Sequence, residues 1–210
     1  MEKRESKFNK FWKKFWFIVW KDNSFKGWII SIIFLFLIIK LVFFPLMNLA
    51  TGTSLPLVIV ESCSMHHEDT IFGDFNSWWS RHEMKYFKFV INENKFEQFT
   101  MKKGFTKGDI LFVTGVKPEN IKIGDIIIFQ TTYPTPIIHR VMKIYNINNE
   151  TIYSTMGDNN NGQLDVEKEI HANQIIGKAR FQLMPYAGWV KLIFFEPFRL
   201  EQERGTCTEN

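Results

Sequence analysis

A mainly β domain, with an N-terminal transmembrane helix and a short C-terminal membrane-associated helix, is the fold class this sequence predicts. Three observations predict it: an apolar run of membrane length near the N-terminus, a switch beyond it from helical to strand periodicity, and a second apolar and aromatic stretch near the C-terminus. At 210 residues, 45% hydrophobic and 16% aromatic, the chain has room for one globular domain plus an anchor, and two domains would be crowded.

Residues 1–26 form a basic leader. Phe8, Phe11, Trp12, Phe15, Trp16 and Val19 recur at helical spacing with lysines between them, the pattern of a helix lying in a membrane interface. Phe17, Ile18 and Trp20 widen that stripe, which also suits a second short packed helix. Asp22-Asn23-Ser24 then breaks the chain and offers a helix cap.

Residues 27–50 are apolar apart from Ser31, Lys40 and Asn48, and exceed the roughly 20 residues a helix needs to cross hydrocarbon. The run is longer and later than a cleaved signal peptide, so it is expected to be retained as an anchor. Lys40 can snorkel or meet a partner subunit, with Pro45 expected to end the regular helix nearby. Lys3, Arg4, Lys7, Lys10, Lys13, Lys14, Lys21 and Lys26 precede the run, and no Lys or Arg occurs from Leu41 to Ser80. This asymmetry predicts a cytoplasmic N-terminus and a domain on the other side of the membrane.

Residues 51–182 read as the β domain. Its strands are expected at 55–60, 110–114, 126–130, 137–144, 151–155 and 175–181, short β-branched or aromatic runs bounded by Gly, Pro, Asn and Asp. Residues 66–106 read as an insertion whose Trp78 and Trp79 suit either the lipid headgroup layer or packing against the sheet. Residues 183–198 are short for a span and read as an interfacial helix, and 199–210 as a polar tail.

The net charge of +4 resides mostly in the leader, where a membrane explains it better than nucleic acid. The two cysteines, Cys63 and Cys207, are not expected to form a disulfide framework, which leaves stability to the core and Cys63 as a small core hydrophobe. His66, His67, Glu68, Asp69 and His82 cluster in composition but lack the spacing of a zinc signature, and no cofactor motif occurs.

The chemistry is carried by an ordered set of motifs: Ser62-Cys63-Ser64-Met65, Lys107-Gly108-Asp109-Ile110, Gly124-Asp125-Ile126-Ile127, Ile138-His139-Arg140-Val141, Gly157-Asp158-Asn159-Asn160 and Gly177-Lys178-Ala179-Arg180. Each is weak alone. In this order, beyond a spanning helix, they resemble the type I signal peptidases of the endoplasmic-reticulum and archaeal kind, from Pro56 to about Val190. The resemblance implies a compact β fold that removes signal peptides from exported preproteins, cutting after small side chains.

It also implies roles for residues. Ser64 takes the place of the nucleophile and His139 that of the general base, where the bacterial branch has lysine. Strand alternation puts His139 on the face opposite Ile138 and Arg140. Ser62 matches a position that assists the oxyanion, although a turn hydrogen bond also suits it. Two aspartates compete to orient the imidazole: Asp165 is expected to do so, with Asp158 in support by bracing its own turn. Two departures stand out, since the family usually has glycine at the place of Cys63 and Glu-Pro at that of His66-His67.

The function expected is a membrane-anchored serine endopeptidase. Its expected partners are signal peptides, the lipid bilayer and accessory membrane subunits, with no nucleic acid, metal or cofactor. The alternative is a membrane-anchored binding module that keeps the fold without the chemistry.

Overall fold

A computed structural model of the chain describes residues 7–68 and 75–208. Asp69, the basic residues Lys3 and Arg4 of the leader, and the rest of residues 1–6 lie outside the described residues. The chain divides into two units, one up to Ala50 and one from Thr51.

In the first unit, α1 (Lys7–Trp20) is followed by α2 (Phe25–Ile38), a π-helical turn (Ile39–Phe43) and α3 (Phe44–Thr51). The Ser24 side chain caps α2 by accepting the Gly27 N–H at 3.1 Å. Helix α1 packs on α2, with the rings of Phe15 and Phe34 5.2 Å apart and the Ser31 hydroxyl donating to the Val19 carbonyl at 2.7 Å. Its Phe8, Phe11 and Trp20 stay exposed.

From Phe25 to Thr51 the helix is continuous, and by length and composition it can cross a membrane. Pro45 therefore does not end it. Proline has no N–H for the carbonyl four residues back, and the chain absorbs that defect in the π turn just before it, where the Phe44 N–H reaches Ile39 O.

The second unit is built on a seven-stranded antiparallel sheet in the order β1-β2-β7-β3-β4-β5-β6. The strands are β1 (Leu57–Ile59), β2 (Ile110–Thr114), β3 (Ile126–Phe129), β4 (Ile137–Ile147), β5 (Glu150–Met156), β6 (Ile170–His171) and β7 (Ile175–Met184). Strand β3 is buried on both faces. Ile126 and Ile128 join Leu111, Val113 and Ala179 on one side, while Ile127 and Phe129 join Val141, Tyr153 and Ile170 on the other. The repeated Gly-Asp pairs start strands: the Asp109 carboxylate accepts the Thr106 N–H at 2.7 Å, and Asp125 accepts that of Lys122 at 2.8 Å.

The described part of the insertion is helical, with α4 (Phe75–Phe87) and α5 (Glu93–Phe96). Trp78 and Trp79 are buried against Tyr86, Ile91, Phe96, Met142 and Met156, so packing and not headgroup contact accounts for both tryptophans. The C-terminal stretch is less regular than an interfacial helix. Only α6 (Trp189–Leu192) and a turn at Glu196–Phe198 are helical, with Gly188 capping the first and Pro197 seated in the first turn of the second. Cys63 and Cys207 form a disulfide across 144 positions of sequence, so Cys63 is neither a core residue nor free.

Candidate active site

Ser64 stands in the corner that follows β1. Val60 N–H donates to Asp109 O and Val60 O accepts from Gly108, so the strand pairing runs to the edge of this corner. Beyond it, Met65 is buried in the core and its carbonyl accepts the Phe105 N–H at 3.0 Å, while the Ser64 carbonyl accepts the Asn159 N–H at 2.8 Å. The serine is thus held between the sheet core and the Gly157-Asp158-Asn159-Asn160 turn. Its hydroxyl lies 3.1 Å from that of Ser62.

His139 comes from the centre of β4, opposite Ile127 of β3, and is almost wholly buried. Its Nδ1 meets the carboxylate of Glu167. That carboxylate also accepts the Thr155 hydroxyl at 3.1 Å and the Leu164 N–H at 2.8 Å, which fixes the Glu167 side chain in the turn Asp165–Glu167. With Nδ1 engaged, Nε2 is the nitrogen presented to a reacting group.

Gly157 shows where that nitrogen points. A Cβ placed on Gly157 would lie 2.7 Å from the Ser64 carbonyl oxygen and 2.9 Å from His139 Nε2. The corner carrying Ser64 and the free nitrogen of His139 therefore face the same point of backbone, and only glycine leaves it open.

Asp165 is not in this group. Its side chain is 95% exposed and pairs with Lys168 at 2.7 Å, so the expected aspartate on the imidazole is replaced in the structure by Glu167. In a turn this tight, residues two apart point in different directions, and here Asp165 points outward.

Asp158 is fully buried, and its carboxylate is engaged by Arg140, His67 and Tyr86. Arg140 Nε and Nη2 reach its two oxygens at 2.9 and 2.6 Å, His67 Nε2 lies 3.1 Å from Oδ2, and the Tyr86 hydroxyl donates at 3.1 Å. Burial alone would raise the Asp158 carboxyl, yet the Arg140 guanidinium and the His67 hydrogen bond hold it well below the usual carboxylate range. Burial pushes the Tyr86 phenol well above its ordinary value, which keeps it a donor.

Arg140 also donates to the carbonyls of Thr100, Gly124 and Met101 at 2.9–3.0 Å, so this pair ties the helical insertion to the sheet. Alternation along β4 thus sends His139 to Glu167 and Arg140 to Asp158. His67 is stacked on Trp78 at 3.7 Å, and His82 lies against the same indole at 4.7 Å. Burial lowers the His67 pKa, against the pull of Asp158.

Comparison with known proteins finds similar chains. The chain is 34% identical over 105 residues to the signal peptidase complex catalytic subunit SEC11C of Homo sapiens, an alignment covering 45% of this chain and 52% of that protein. Its homologues are signal peptidase catalytic subunits. The SEC11 subunit of Candida dubliniensis is 31% identical over 104 residues, 46% of this chain and 61% of its own length. The chain thus spans about half the length of the SEC11C proteins it matches. No family model matches it. The resemblance carried by the Ser62-to-Met65, His139-Arg140 and Gly157-to-Asn160 motifs is to this same group of proteins.

Proposed function

We propose that the chain is a membrane-anchored serine endopeptidase that removes signal peptides from exported preproteins. The reading rests above all on the convergence of the Ser64 corner and His139 Nε2 at Gly157, with a buried carboxylate on the other side of the imidazole. In this mechanism His139 accepts the Ser64 proton as Ser64 attacks the scissile carbonyl, and Glu167 holds the imidazole in the tautomer that leaves Nε2 unprotonated. Glu167 takes the part first expected of Asp165. Asp158 acts at a distance, by holding Arg140 and the turn that carries Gly157 and Asn159.

Ser62 stays close enough to assist the oxyanion, and such a donor is typically worth about 2.7–4 kcal/mol of barrier. The preprotein extends along the free edge of β1, pairing its main chain there and placing small side chains against the sheet. The anchor holds this reaction at the bilayer on the non-cytoplasmic side, which in a eukaryotic cell is the lumen of the endoplasmic reticulum. Exposed Val190, Ile193, Phe194 and Phe198 form a further lipid contact, and accessory membrane subunits pack on the anchor.

The test is to incubate detergent-solubilised full chain with a preprotein and read the new N-terminus by mass spectrometry. Cleavage after a small residue, lost in Ser64→Ala, is the expected result. An intact preprotein that nevertheless binds would favour the non-catalytic binding module.

A further inference from the structure

Residues 199–210 read in the sequence as a polar tail, and the structure fastens this end of the chain to the nucleophile corner at several points. Lys107, buried, reaches the Glu196 carboxylate at 2.7 Å and the carbonyls of Glu203 and Gly205 at 2.7 and 3.2 Å. Arg199 donates to the Glu61 carbonyl at 2.9 Å and pairs with its carboxylate at 2.8 Å. Cys207 is bonded to Cys63, the immediate neighbour of Ser64. One side-chain amide, that of Asn159, bridges the carbonyls of Cys63 and Thr208 at 3.0 and 2.9 Å.

The position of Arg199 decides what this strap does. Strand β1 ends the sheet, and Val60 turns both of its main-chain groups toward the β2 side. By the alternation of a strand, the Glu61 main chain turns to the opposite, free edge. An extended peptide adding to β1 beside Ser64 would need that carbonyl, and Arg199 already occupies it. The tail thus holds the ground on both sides of Ser64, at Glu61 and at Asn159.

We infer that residues 196–208 are an autoinhibitory strap whose release is controlled by the Cys63–Cys207 disulfide. This rests on the peptidase reading above. In the release step a dithiol reductant attacks one of the two sulfurs as thiolate, breaking the S–S bond and forming a mixed disulfide, which its second thiol resolves. The dithiol leaves as a disulfide, having supplied two electrons, and Cys63 and Cys207 end as thiols. The remaining contacts of the tail are ordinary hydrogen bonds and ion pairs, which an incoming strand can displace.

Full-length protein in detergent, an internally quenched peptide carrying a signal-peptide cleavage site, and trypsin as a probe of the tail provide the test. Treatment with dithiothreitol, or Cys207→Ser, raises kcat/KM by about tenfold, and trypsin then cuts after Arg199 and Arg204 where the oxidised protein resists. Arg199→Gln keeps the disulfide and gives a smaller rise, which guards against a Cys207→Ser variant that fails to fold. Equal or lower activity after reduction, in protein that cuts the peptide when oxidised, overturns the strap alone. A tail that stays protected from trypsin after reduction does the same. If no form cuts the peptide although trypsin reports release, the peptidase reading fails, and the inhibitory role with it.

Discussion

Glu167 meets the imidazole of His139 while Asp165, two positions earlier in the same turn, faces solvent. The two carboxylates differ in everything that matters for orienting a base. Glu167 is fully buried and accepts three hydrogen bonds, whereas Asp165 is held by one exposed lysine.

Glu167→Gln should therefore lower the rate by roughly 10⁴, as expected when the wrong histidine tautomer is held. Asp165→Asn should leave both rate and melting temperature near those of the parent, because exposed ion pairs contribute little. Single-turnover rates on both variants, with their melting curves, make the comparison. A folded Asp165→Asn protein with the larger loss would return the role to the aspartate.

Removing the Asp158 charge has a different signature. Asp158→Asn leaves Arg140 buried without its counter-ion, at a cost of about 3–5 kcal/mol in stability. Because the folded carboxyl sits below its ordinary value of 3.8, its contribution is complete above that pH and is lost as the pH falls further. Chemical denaturation of the variant, and acid unfolding of the parent, measure both. A variant as stable as the parent would mean that Arg140 finds another anion.

His67 governs a milder range. Burial holds its folded pKa below the ordinary 6.5, so the neutral ring contributes fully above that value and its contribution is lost as the pH falls through it. The charges facing it are Asp158, which favours protonation, and Arg140 and His82, which oppose it. The melting temperature should decline from pH 7.5 toward pH 5.5, and His67→Phe, which keeps a ring on Trp78, should flatten that decline. An unchanged slope in the variant would assign it to another group.

Much of this arrangement was legible in the sequence. Six strands begin and end within a few residues of their β-branched runs, because each alternates or is continuously apolar as a half-buried or buried strand must be. Strand β6, only Ile170 and His171, is too short to show any period. The ordered motifs single out Ser64 and His139, which the structure sets on either side of Gly157, but they do not single out the carboxylate that meets the imidazole. It depends on the direction each side chain takes from one tight turn, which spacing does not encode. The disulfide was illegible for a related reason. Its sulfurs are 144 positions apart, and pairing depends on Cα atoms being brought within about 7 Å by the whole fold. Pro45 misled because proline normally breaks a helix, whereas here a widened turn accommodates it.

Gly157 is the most economical single-atom probe of the site. Alanine there places a methyl against the Ser64 carbonyl, His139 Nε2 and the Asn160 side chain, all closer than 3.0 Å. The backbone must shift, and a displacement of about 1 Å at reacting groups can cost 10²-fold in rate. Gly157→Ala should lose about that much while retaining the circular dichroism of the parent. Full activity would show that the turn can yield without moving the serine or the imidazole.

The disulfide makes a stability prediction independent of any activity. It closes a loop of most of the second unit, and loss of such a cross-link typically costs about 2–5 kcal/mol. Dithiothreitol should lower the melting temperature of the parent and leave that of Cys207→Ser unchanged, with the two reduced proteins melting close together. Alkylation under non-reducing conditions, read by intact mass, should modify neither cysteine before reduction and both after it. The loss should be largest at the C-terminal end, since Lys107, Arg199 and Asn159 then hold the tail without a covalent bond. Equal melting with and without reductant, together with two thiols free to alkylate from the start, would mean that Cys63 and Cys207 do not pair in the molecule.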